Sequence, residues 1–141
     1  MNRKLILLGA CAAIAAYVVL QIAPTGGTPA AQAPENKAIV SIQMPDIQGN
    51  AVIGEKVFQN ACISCHGPNG TGVDGAGPPL IHKIYEPGHH ADEAFQRAVA
   101  NGVRSHHWSF GDMPPIEGLT RGDVKMVLAY IRTIQRANGI N

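Results

Sequence analysis

The chain has 141 residues, with 11 Lys and Arg against 10 Asp and Glu and a formal net charge of +1. That length allows one domain and a leader rather than two domains, and the near balance of charge excludes the dominant basic face that nucleic-acid binding needs. Aromatic residues make up only 5% of the chain and cysteines number 3, so the core is thin for its size and a framework of paired disulfides fails on the odd count.

Arg3 and Lys4 precede an apolar run from Leu5 to Ala23, interrupted only by Gln21. As a helix this run would span about 28 Å, close to a bilayer core. The basic residues before it predict that the N-terminus stays in the cytoplasm and the remainder crosses. Residues 1–23 therefore read as a membrane anchor that meets the lipid bilayer through residues 5–23. A cleaved signal segment, with Thr28-Pro29-Ala30 as a weak cleavage site, is the alternative. Cys11 in Leu8-Gly9-Ala10-Cys11 resembles a lipoprotein box. The apolar run continues past it, however, so it is read as a small residue inside the anchor. Residues 24–47 are expected to be a flexible linker, rich in Pro, Ala, Gly and Thr, with a short extended piece at Lys37–Pro45. Residues 48–141 form the expected domain. The export signal places that domain on the periplasmic side of a bacterial inner membrane, or free in the periplasm if the leader is cleaved.

Within the domain the patterning predicts helices joined by irregular loops. The first covers about Ala51–Ala61, with Val52, Val57 and Phe58 as its apolar positions. The stretch through His66 stops at Gly67-Pro68. Thr71–Leu80 holds three glycines and two prolines and must be loop. A short helix covers Asp92–Asn101 and ends at Gly102. Thr120-x-x-Asp123 has the form of a capping box. It opens a longer helix to about Ala137, which carries Val124, Val127, Leu128, Ile131 and Ile134 on one face.

Cys62-Ile63-Ser64-Cys65-His66 is the pattern of c-type haem attachment. Two thiols three residues apart lie on one side of a helical turn, where both can add to the vinyl groups of one haem. The adjacent imidazole then falls under the iron. A structural zinc site on these cysteines would want another Cys/His pair at suitable spacing, and Cys11, the only other cysteine, lies in the apolar leader. A thioredoxin-like redox pair would want a βαβ context, which is missing, and a simple disulfide is the remaining alternative. The expected cofactor is one haem c, covalent through Cys62 and Cys65, with His66 as an iron ligand. Met113, in a loop before Pro114-Pro115, is the expected second axial ligand, because a thioether is a soft donor that favours reduced iron.

These motifs, over about Asn50–Ala137, strongly resemble the mono-haem class I cytochrome c family. The resemblance implies an all-α fold of three to four helices packed around the haem. It also implies a crossing of the first and last helices at Gly54, Phe58 and Tyr130. It assigns the orientation of His66 to the Pro78 carbonyl, packing on the haem to Leu80, and a propionate hydrogen bond to Trp108. The implied function is single-electron transfer with membrane or periplasmic redox proteins. The competing class is a haem enzyme, peroxidase-like or a dehydrogenase subunit, in which the distal position is open and His106 or His107 serves as distal acid/base. A separate alternative has His106 or His107 replace Met113 on iron, giving bis-His haem. Two histidine pairs, His89-His90 and His106-His107, flank the short middle helix. Its ends lie about 15 Å apart, so one copper or zinc ion could be shared only if the following loop folds back.

Overall fold

The computed structural model describes residues 38–141, and the anchor expected at residues 1–23 lies outside them. No helix among the described residues is long and apolar enough to cross a membrane. Four α-helices follow in order: α1 (Asn50–Ala61), α2 (Ile63–His66), α3 (Asp92–Asn101) and α4 (Arg121–Ala137). Short 3-10 turns at Pro68–Gly70 and Lys83–Tyr85 punctuate the loop between α2 and α3. The described residues form no strand, only two isolated antiparallel bridges, Val73 with Gly77 and Val103 with Met113.

Helix α1 buries Ala51, Gly54 and Phe58, three residues on one stripe at helical spacing. Val52 was expected on that stripe; it and Ile53 instead face solvent, 38% and 53% exposed. The phase of the helix is set by Gly54, which must meet α4. A Cβ on Gly54 would lie 1.8 Å from the Met126 carbonyl oxygen, so only glycine lets the two backbones approach this closely. One turn on, the rings of Phe58 and Tyr130 meet at 5.7 Å. The crossing of first and last helices therefore stands where the sequence places it.

Helix α4 starts with a complete capping box: the Thr120 hydroxyl accepts from the Asp123 amide, and the Asp123 carboxylate accepts from the Thr120 amide. Its inner face carries Val127, Tyr130, Ile131 and Ile134 into the core with Phe58, Leu80 and Ile81. The segment 38–47 corrects the expected linker: it forms no strand, yet it is held on the domain. The Ile39 and Val40 amides donate to the Thr71 carbonyl, Asn138 bonds Gln43 in both directions at 2.8 and 2.9 Å, and Ile42 and Ile47 pack on the core. Those partly buried isoleucines, with the backbone hydrogen bonds, offset the entropy of ordering the segment.

Candidate haem site

The site begins at a kink. Cys62, with φ −123° and ψ −25°, separates α1 from the single turn of α2. Gly67 then ends that turn at φ 71°, where a side chain would strike the Gly72 carbonyl at 2.6 Å. Glycine is required there by both conformation and space, and the turn it closes presents Cys62, Cys65 and His66 together. All three border one cavity of about 660 Å³.

Burial lowers the His66 imidazole below its usual range, and the Pro78 carbonyl partly restores it. His66 Nδ1 lies 2.9 Å from the Pro78 oxygen. A carbonyl only accepts, so Nδ1 carries the hydrogen and Nε2 keeps its lone pair for a metal. Burial, and then the neighbouring Cys65, push the Cys62 thiol up to about 11. Cys62 therefore lacks the lowered thiol of an activated redox cysteine. The loop that delivers Pro78 is fixed by close packing: a Cβ on Gly77 would lie 2.6 Å from the Cys65 oxygen.

Pro78, Leu80, Trp108 and Met113 border the same cavity as the attachment turn. Met113 is held at the base of a closed loop, because Val103 and Met113 exchange two backbone hydrogen bonds of 2.9 Å. Ser105 tightens the loop: its hydroxyl donates to the Trp108 carbonyl, and its amide donates to the Asp112 carboxylate at 2.8 Å. Trp108 stacks on Phe110 at 5.7 Å with the rings 9° from parallel. Its Nε1 is the only buried side-chain polar atom among the described residues without a hydrogen-bond partner. Burial raises the Tyr85 hydroxyl, and the nearby Trp108 counters the rise, yet no bond of normal geometry joins the two. An unpartnered buried N–H on a side chain that borders the cavity calls for an acceptor on the bound group.

The family model for cytochrome c matches residues 51–135. The chain belongs to the cytochrome c family. It is a class I c-type cytochrome, and membership implies a covalently bound haem c and haem-based electron transfer. No curated protein and no solved structure matched the chain. The residues present fit the group: two thiols, an imidazole with Nε2 free, a mostly apolar cavity and an unpartnered N–H are what a haem with its propionates requires.

The histidine pairs are also brought together. His89, His90 and His107 each offer a ring nitrogen within 4.8 Å of the others, and His106 lies against His107 with ring centroids at 4.2 Å. The loop after α3 does fold back, closed by the Val103–Met113 pair.

Sequence reasoning missed a polar hub behind the cavity. Arg132 is buried on α4, where it donates to Asp92 at 3.0 Å and to the Tyr85 and His90 carbonyls, each at 2.6 Å. Gln135 adds bonds to the Leu80 and Tyr85 carbonyls at 2.8 and 3.1 Å. The signal was present as a cation and an amide three residues apart beside the apolar face of the last helix. Nothing in the sequence says which loop carbonyls they serve.

Proposed function

We propose that this cytochrome is a single-electron carrier with one haem c, attached through Cys62 and Cys65, with His66 and Met113 as axial ligands. The single observation that carries this reading is the common cavity: the attachment turn, the oriented His66 and the loop-borne Met113 all border it. Bound there, the haem supplies a ferric/ferrous couple. The chain's own contribution is to fix His66 through Pro78, to stiffen the Met113 loop with two prolines and a backbone pair, and to exclude water with Leu80, Val127 and Leu128. Trp108 Nε1 donates to a propionate. With both axial positions filled by protein, no substrate needs to reach the metal, which supports electron transfer over peroxidase chemistry.

The apolar run at residues 5–23 supports a tether on the periplasmic side of a bacterial inner membrane. Membrane or periplasmic redox proteins are then the partners, met briefly through a small interface. Resistance of the full-length chain to extraction from membranes by alkaline carbonate tests the tether, and release into the wash overturns it.

Absorption spectra of purified protein, oxidised and reduced, with a pyridine haemochrome assay, test the site. One haem c per chain that survives acid–acetone, and a far-red band of thioether-bound ferric iron, are expected. Native ferrous protein should not bind carbon monoxide, whereas Met113→Ala should. Colour stripped by acid–acetone overturns the attachment. Carbon monoxide binding by the native protein overturns the axial role of Met113 and favours the enzyme.

A further inference from the structure

We propose that His89, His90 and His107 form a second metal site, for one divalent Cu or Zn ion, at the rim of the haem cavity. The geometry stands apart from the haem ligands. His89 Nε2 and His107 Nε2 face each other at 3.4 Å. That is long for a hydrogen bond between imidazoles, but two nitrogens on one tetrahedral ion with bonds of about 2.0–2.1 Å lie about 3.3–3.4 Å apart. The ring centroids form a nearly equilateral triangle: 4.8 Å for His89–His90, 5.3 Å for His89–His107 and 5.2 Å for His90–His107. Three imidazoles pointing at such an ion would have centroids about 5 Å apart.

The tautomers suit a metal. His90 Nδ1 lies 2.6 Å from the Ile84 carbonyl oxygen, so Nδ1 carries the hydrogen and Nε2 keeps its lone pair. A ligating imidazole whose other nitrogen donates to a backbone carbonyl is the usual support in such sites. The backbone behind His90 is held too, because its carbonyl accepts from the buried Arg132 at 2.6 Å. His106 bonds the Arg104 carbonyl through Nδ1 at 2.8 Å and borders the site without joining the triad. Three neutral imidazoles with an open fourth position suit Zn or Cu, and the absence of a carboxylate from the triad disfavours Mg and Ca.

The placement gives the site a consequence. His107 rides on residues 104–112, the loop closed at its base by Val103 and Met113, while His89 and His90 precede α3. A shared ion would tie these two segments together across the cavity rim and so brace the loop that presents Met113.

The test uses untagged, haem-loaded protein freed of metal by a chelator and then titrated with zinc sulfate or cupric sulfate in a calorimeter. One equivalent should bind with a Kd of about 1 μM or tighter. His89→Ala and His107→Ala should each weaken it by about 100-fold or more, the upper end of what loss of a mere outer partner costs. His106→Ala should weaken it far less. The haem absorption of each variant should be unchanged, which reports an intact fold; His89→Gln and His107→Gln replace any alanine variant that fails this check. Cupric protein should show nitrogen hyperfine structure from three imidazoles in its paramagnetic resonance spectrum. The proposal is overturned if the unaltered protein takes up no saturable equivalent, or if the histidine variants bind as tightly. Neither result touches the haem assignment.

Discussion

Asn69 is the one described residue other than glycine with a positive φ, at 57°, and it sits three residues after His66. Its side-chain oxygen accepts from the Tyr130 hydroxyl at 2.8 Å, so the turn behind the haem motif is pinned to α4 at the helix crossing. Two effects are separable there. Asn69→Ala removes the bond and adds the steric cost of a left-handed alanine, and should destabilise by about 2 kcal/mol. Asn69→Gly removes the bond but tolerates the backbone, and should cost about 1 kcal/mol less than alanine. Urea titrations of the two variants give that difference directly. The same tyrosine sets an alkaline limit. Burial, with a smaller push from Glu55, raises its hydroxyl from the ordinary 10.0 to about 12. The folded state holds the proton more tightly than the unfolded chain. The resulting stability is complete below pH 10, falls as the pH rises towards 12, and is gone above it. Tyr130→Phe should remove this part of the alkaline decline. If the variant and the parent lose stability in parallel between pH 10 and 12, the buried hydroxyl is not its source.

At the scale of elements, the contact of α1 with α4 is made at Gly54, and its tolerance is narrow. The carbonyl of Met126, at 1.8 Å from a hypothetical Cβ, is backbone inside a helix and cannot swing aside. Gly54→Ala must push the helices apart and open the Phe58–Tyr130 contact, at a cost of about 3 kcal/mol by analogy with overpacked cores. The intrinsic preference of a helix interior for alanine, about 1 kcal/mol, works the other way and is outweighed. A thermal melt of the haem-loaded variant should show a clear loss; an unchanged or raised Tm would mean that the crossing is looser than drawn. The helices themselves were legible in the sequence because their ends carry chemistry: Gly67 and Gly102 past the ends of α2 and α3, and Thr120 with Asp123 at the start of α4. Val52 was misplaced because a phase read from short apolar runs cannot see that a glycine, not a valine, faces the neighbour. The strap at 38–47 was misread as linker because it continues the Pro- and Ala-rich stretch before it, although it carries Ile39, Val40, Ile42, Met44 and Ile47. Its attachment depends on hydrogen-bond partners far along the chain, at Thr71 and Asn138. In the site, Cys62, Cys65, His66, Pro78 and Met113 could be picked out because each stands in a local pattern. Arg132 and Gln135 could not, since most of their partners are the Leu80, Tyr85 and His90 carbonyls, brought near only by the fold. The four histidines lay between these cases: their pairing was visible, and their convergence waited on the return of the 104–112 loop.

For the whole molecule the decisive quantity is the size of the cavity relative to the domain's stability. The larger apolar side chains that line it, Leu80, Phe95, Val124, Val127 and Leu128 among them, belong to or adjoin the same core that joins α1 to α4. Left without its macrocycle, a space of about 660 Å³ would cost on the order of 16 kcal/mol at the rate measured for closed cavities, about 24 cal/mol per Å³. Water can enter this one from its rim, so that figure is an upper bound, to be set against a net stability of about 5–15 kcal/mol for a small domain. On the proposed attachment the haem completes the core, and thioethers to Cys62 and Cys65 would keep it there at any dilution. Replacing both cysteines by alanine in the exported chain should give a protein without attached haem that retains helical far-ultraviolet dichroism but loses its near-ultraviolet signal and its cooperative melt. Replacing Cys65 alone should leave one thioether, a coloured chain and a cooperative transition at lower temperature. A double variant that melts cooperatively without haem would show that α1, α3 and α4 close the space by themselves, and the macrocycle would then be a passenger of the fold and not a component of its interior.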